Sequence, residues 1–211
     1  MGGRGARLSG RYSSEGRTNA GDILKTTSFI SAREKYTQTV DEALGVFRDV
    51  NNQYGLVVED LHMATIRNNK LAVAYWDGEN IGWNERFMDN KSLERVYAND
   101  VKKGFHPRMG NRTAVEAVAS HELGHALTAE AGKKLGGLNV EQTATRIVNE
   151  ARRQTGHKGV VPMAKNISRY ATFNNAEAIA EAFADVYCNG KNAQRESRTI
   201  VSVLNKYMGK K

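Results

Sequence analysis

Thr113-Ala-Val-Glu-Ala-Val-Ala-Ser-His-Glu-Leu-Gly-His-Ala-Leu-Thr-Ala-Glu-Ala-Gly132 is an unbroken helical pattern with a polar group at its centre. Thr113 and Glu116 have capping-box spacing, and Gly132 is the expected C-terminal stop. Ala117, Val118, Leu123, Ala126 and Leu127 surround His121, Glu122 and His125 with apolar side chains, so the helix reads as buried. Residues four apart lie one turn above each other on one helix face. His121 and His125 can therefore hold one metal ion between them, with Glu122 beside the ion's open position. A buried helix carrying two His and a Glu needs such a reason, because polar groups without partners are costly in a core. The competing reading is a pair of core histidines satisfied by backbone carbonyls.

His121-Glu122-Leu123-Gly124-His125 is the H-E-x-x-H arrangement of zinc peptidases, in which the Glu is the general base. A catalytic zinc keeps three protein ligands and one open position for water. Extension of the motif to a downstream Gly and third His fails, because those positions carry Thr128 and Ala131. The third ligand is then expected to be a carboxylate from a later helix. Asn175-Ala-Glu-Ala-Ile-Ala-Glu-Ala-Phe-Ala-Asp-Val-Tyr187 supplies Glu177, Glu181 and Asp185 at spacings of four, with no Lys or Arg. Its Ala residues allow close approach to another helix. One carboxylate would bind zinc, and the one a turn later would receive an imidazole N–H and fix that ring's tautomer. Alone, the acidic stripe also fits a solvated surface, and spacing leaves Glu177 and Glu181 both open as the ligand.

Ser168-Arg-Tyr-Ala171, followed by Asn174-Asn-Ala-Glu-Ala-Ile-Ala-Glu-Ala-Phe-Ala184, resembles the second half of the catalytic domain of anthrax lethal factor and its relatives, bacteriophage and prophage proteins among them. The Met-Gly-Gly-Arg-Gly start is also phage-like. The resemblance covers about residues 113–186. In that family a Tyr lies seven residues before the ligating Glu and a second Glu four after it; Tyr170, Glu177 and Glu181 have this spacing. The resemblance implies a gluzincin-type zinc metallopeptidase of α+β, zincin-like fold. His121, His125 and Glu177 would hold one catalytic Zn²⁺, with Glu181 behind a ligand. Tyr170 would stabilise the oxyanion or protonate the leaving amine. Ala178-Ile179 departs from the aromatics the family often carries there, a difference that bears on substrate preference rather than on ligation.

At 211 residues the chain is long enough for a sizeable core. Its expected organisation is a flexible basic Gly/Ser/Arg-rich segment over 1–33, a single metallopeptidase domain over 34–208 and a basic tail at 209–211. The net charge of +8 is uneven: residues 1–36 hold seven Lys/Arg against three acids, and residues 191–211 six against one, leaving the body near −1. Basic ends can touch anionic partners, but no basic, aromatic-studded element marks specific nucleic-acid recognition. The single Cys188 excludes an internal disulfide and reads as buried and inert. No apolar run resembles a signal peptide or a membrane span. The expected address is the cytoplasm of a bacterial host or a virion, and the expected partners are a protein or peptide substrate and phage structural proteins.

Ahead of the motif, residues 38–53 form a helix with a capping box at Thr39-Val-Asp-Glu42, an apolar stripe of Val40, Leu44, Phe47 and Val50, and a stop at Gly55. Leu56–Thr65, Lys70–Trp76 and Asn80–Met88 are strand candidates, the last two joined by an Asp77-Gly78 hairpin turn. A small, mostly antiparallel sheet results, whose edge could align an extended peptide. Helices are further expected over Lys91–Lys103, Asn139–Gln154 and Ala193–Met208. His106 and His157 read as surface loop residues and His62 as structural. The chemistry expected is peptide-bond hydrolysis by a metal-activated water. The alternative is a non-catalytic zinc-containing structural or scaffold component of a phage particle.

Overall fold

The computed structural model describes residues 24–27, 29, 32–66 and 72–210. These fall into two compact units, one up to Arg95 and one from Val96 onward. The fold class is α+β, mostly helical with a small mixed sheet.

The first unit holds β1 (Leu24–Thr27), α1 (Arg33–Tyr54), β2 (Val58–Ala64), β3 (Ala74–Trp76) and β4 (Asn80–Asn84). The sheet order is β1-β2-β4-β3. β1 pairs with β2 in parallel and β2 with β4 in parallel; only β3 and β4 are antiparallel. The expectation of a mostly antiparallel sheet is thus corrected. Period-two alternation reports which face a side chain takes, not strand direction. Direction comes instead from the connections. α1 crosses over between β1 and β2, as parallel strands require, and the hairpin carries β4 back beside β2. Asp77 builds that hairpin turn: its Oδ1 accepts from the Glu79 and Asn80 backbone N–H groups at 3.1 and 2.7 Å. Gly78 supplies the positive φ of +111°.

Most of the segment expected to be flexible, 1–33, lies outside the described residues; β1 is the exception, and Phe29 beyond it is fully buried against Trp83. Polar Lys25, Thr26 and Thr27 dilute the strand signal there. α1 begins at Arg33, with a kink at Tyr36, rather than near the capping-box pattern. Thr39 is no cap: its hydroxyl donates to the Met88 carbonyl at 2.7 Å in the core. β4 ends four residues early, where the Asn84 side chain accepts from Arg86 N and starts a 3₁₀ turn.

α2 (Asn90–Lys102) contains the boundary between the units. The second unit continues with α3 (Ala114–Lys134), α4 (Val140–Thr155), α5 (Val160–Lys165), α6 (Asn175–Asn189) and α7 (Arg195–Tyr207). α3 carries both bonds of the Thr113–Glu116 capping box, and α4 has the same device in Asn139 and Gln142. α3, α4, α6 and α7 pack into one helical core. Gly132 is not the stop of α3. A Cβ there would come within 2.4 Å of the Leu138 carbonyl oxygen, so Gly132 serves close approach. The reversal falls to Gly136 and Gly137, both at positive φ. Among the described residues, no helix is long and apolar enough to cross a membrane.

Candidate metal centre

α3 and α6 meet at Gly124 and Ala180. A Cβ on Gly124 would lie 2.8 Å from the Ala180 Cα, so only glycine permits this backbone approach. The contact brings the α6 carboxylates level with the α3 imidazoles. Glu177 sits in the first turn of α6, where Asn174 caps the helix by accepting from Glu177 N at 2.8 Å. A carboxylate there is favoured by the helix dipole.

Glu177 Oε2 lies 3.2 Å from His121 Nε2 and 3.4 Å from His125 Nε2. The three donor atoms fall within 4.8 Å of one another and could hold a metal ion. Glu177 Oε2 is buried, yet neither approach has the alignment of a hydrogen bond. Ligands about 2.0–2.1 Å from a tetrahedral zinc are separated by about 3.4 Å. The two separations therefore fit atoms converging on a common centre, and the donor set of two imidazoles and a carboxylate suits zinc chemistry.

Behind His121 stands Glu181, with its side chain 1% exposed. Its Oε1 accepts from His121 Nδ1 at 2.8 Å, and its Oε2 accepts from the Ser168 hydroxyl at 2.7 Å. Because a carboxylate only accepts, Nδ1 carries a proton, and in the neutral ring Nε2 would be the nitrogen free for a metal. Burial would raise the Glu181 pKa, but hydrogen bonds from His106 and His121 hold it down at about 2. Burial likewise opposes the low pKa of Glu177, which the His121 and His125 contacts impose. In His121, burial disfavours the charge, and the two carboxylates outweigh it and raise the pKa well above the ordinary value. A proton on His121 and a metal ion held by this group would compete for the same place.

Glu122 is buried, and burial raises its pKa against the opposing influence of His121 and His125. A carboxylate tuned upward is a better proton acceptor near neutral pH. The Tyr170 ring stacks on His121 at 5.7 Å. Burial, then Glu177, raises its hydroxyl, which stays protonated at neutral pH and able to donate.

The sequence-derived set His121, Glu122, His125, Tyr170, Glu177 and Glu181 is thus brought together in one unit. Asp185, on the same acidic stripe, is not part of it. Its oxygens accept from Asn189 Nδ2 and Gln194 N, both at 2.8 Å, and tie down the end of α6. Cys188 is partly buried, and burial pushes its thiol up to about 12.

Two partners of Glu181 carried no sequence signal of their role. Ser168 lay in the motif stretch without a function. His106, expected at the surface, is corrected: its Nδ1 lies 3.0 Å from Glu181 Oε1, across 75 residues of sequence. His157 is likewise not a free surface residue, for its Nε2 is 2.9 Å from Glu196 Oε1. His62 is buried, 3.2 Å from the Tyr75 hydroxyl, as a structural residue would be.

Comparison with protein-family models finds no match to the chain, and a search of curated proteins finds none either.

Proposed function

We propose that the protein is a zinc-dependent endopeptidase with a zincin-like, lethal factor-like catalytic domain. The observation that carries this reading is Glu177 Oε2, buried opposite two imidazole nitrogens without a hydrogen bond to either. His121, His125 and Glu177 would hold the ion, and Glu181 keeps the His121 ring in the ligating tautomer. A zinc ion there supplies Lewis acidity, which acidifies water and polarises a carbonyl.

Glu122 takes the proton from a water attacking the peptide carbonyl and returns it to the leaving nitrogen. Tyr170, protonated and stacked beside the ligands, donates to the oxyanion that develops. Its ring contact with His121 keeps the hydroxyl close to the reacting centre.

Metal analysis by mass spectrometry, paired with cleavage of a peptide library, tests this reading. About one zinc per chain and cleavage by the parent protein are expected. A well-folded parent without zinc would turn His121 and His125 into core histidines and remove the proposal. Zinc without cleavage of any peptide or protein would favour the structural component of a phage particle. That reading draws on the ion's place between α3 and α6, where it would also staple two core helices.

A further inference from the structure

We propose that His106 is the positioning residue of this centre. Through Glu181 it sets the orientation of the His121 imidazole, and through its own ring it braces Tyr170. The inference rests on the metal-site reading above and adds a residue from outside both motif helices.

His106 Nδ1 reaches both Glu181 oxygens, Oε1 at 3.0 Å and Oε2 at 3.2 Å. His121 engages only Oε1 and Ser168 only Oε2. With one donor on each oxygen the carboxylate can still twist about its terminal bond. A third donor spanning the pair fixes the plane in which Oε1 faces His121. Glu181 can only accept, so Nδ1 of His106 carries the hydrogen.

The His106 ring is itself clamped. It stacks on Tyr97 with centroids 4.9 Å apart and planes 8° from parallel, and meets Phe105 edge-on at 5.0 Å. Its other neighbour is Tyr170, edge-on at 5.3 Å. The backbone of the same loop pairs with the Tyr170 segment. The Gly104 carbonyl accepts from Arg169 N at 2.9 Å and the Phe105 carbonyl from Tyr170 N at 3.1 Å. The loop after α2 thus holds both the carboxylate behind a ligand and the tyrosine in front of it. A histidine present only to fill space would not need its Nδ1 aimed at both oxygens of a buried carboxylate.

The test compares Zn²⁺ affinity, by chelator competition, and the visible spectrum of the Co²⁺-loaded protein across a set of variants. In His106→Ala, Zn²⁺ affinity should fall by about 10-fold, the low end for outer partners of a metal ligand, and the Co²⁺ bands should shift. His106→Asn places an amide where Nδ1 stood and should recover most of both. In a Glu181→Ala background, His106→Ala should add nothing. Unchanged affinity and spectrum in His106→Ala would overturn the proposal, as would an equal further loss without Glu181. Should His106→Ala fail to fold, His106→Gln, with its donor at the Nε2 position, takes its place with the same expectation. A folded parent that binds neither metal removes the metal-site reading, and this inference with it. A parent that binds metal while the His106 variants bind equally well removes only the inference.

Discussion

Two glutamates sit in the first turns of neighbouring helices and each meets a histidine, but they are in different physical states. Glu196, opening α7, accepts from His157 Nε2 at 2.9 Å and Asn166 Nδ2 at 3.1 Å. Every contact there is a hydrogen bond, and the cluster ties α7 to the segments around α4 and α5 without further help. Glu177, opening α6, faces two imidazoles and bonds properly to neither. Proximity of His and Glu is therefore not what marks a metal site. What distinguishes Glu177 is a buried oxygen that faces two imidazole nitrogens without a hydrogen bond to either, in a group that could hold a metal ion. In a low-dielectric interior such an arrangement is costly unless a cation supplies the missing attraction.

The comparison breaks most sharply in catalysis. Glu122→Gln should reduce peptide turnover by about 10²–10⁴-fold with zinc content unchanged, whereas Glu196→Gln should leave turnover intact; steady-state cleavage rates beside metal analysis check both. Equal rates for parent and Glu122→Gln would remove Glu122 as the base. Next in size is metal retention. Glu181→Ala should weaken zinc binding by about 10–100-fold and Glu177→Ala more than that, as read by chelator competition. If Glu181→Ala loses more than Glu177→Ala, the ligand assignment is reversed.

Stability comes third. Gly124→Ala should destabilise the fold by about 1–3 kcal/mol, the usual cost of overpacking, despite the roughly 1 kcal/mol gain in helix propensity. Its Cβ meets the Ala180 backbone, which cannot swing aside as a side chain would. Urea denaturation of the metal-free protein measures this free of ligand effects.

The smallest effect concerns pH. Burial pushes the Glu196 pKa up, but His157 and Asn166 more than offset it, so the folded value lies below the ordinary one. A depressed folded pKa contributes stability that is present above the unfolded value, about 4.3, and lost as pH falls through the folded value. Glu196→Gln should therefore flatten the acid limb of the denaturation midpoint by about 1 kcal/mol or less, while the neutral limb changes little in slope.

Much of this was legible in the chain. Helices announce themselves through caps and apolar spacing, so the Thr113–Glu116 box, the Gly55 stop and the Asp77-Gly78 turn lie where the residues indicate. Each of these is decided within a few residues. Three departures from the local pattern are alike. Thr39 mimics a cap but donates to Met88; Gly132 mimics a stop but admits the Leu138 carbonyl; His106 mimics a surface residue but serves Glu181. For Thr39 and His106 a partner distant in sequence overrides the local signal, and for Gly132 the chain turning back onto the helix does; a local pattern carries no information about either.

What the sequence determined alone was the chemistry of α3: two imidazoles and a carboxylate on one helix, at a spacing set by 3.6 residues per turn. It also placed carboxylates one turn apart on a second helix, in steps that keep them on a shared face. Which of them faces the histidines was a tertiary decision. It depends on the level at which Gly124 meets Ala180 and on the cap that starts α6 at Asn175. That crossing puts Glu177 against both Nε2 atoms and Glu181 against Nδ1, and turns Asp185 away to the end of its own helix. The folded chain likewise chose the loop after α2 to support Glu181, because only packing can bring Nδ1 of His106 within 3.0 Å of a carboxylate 75 residues away.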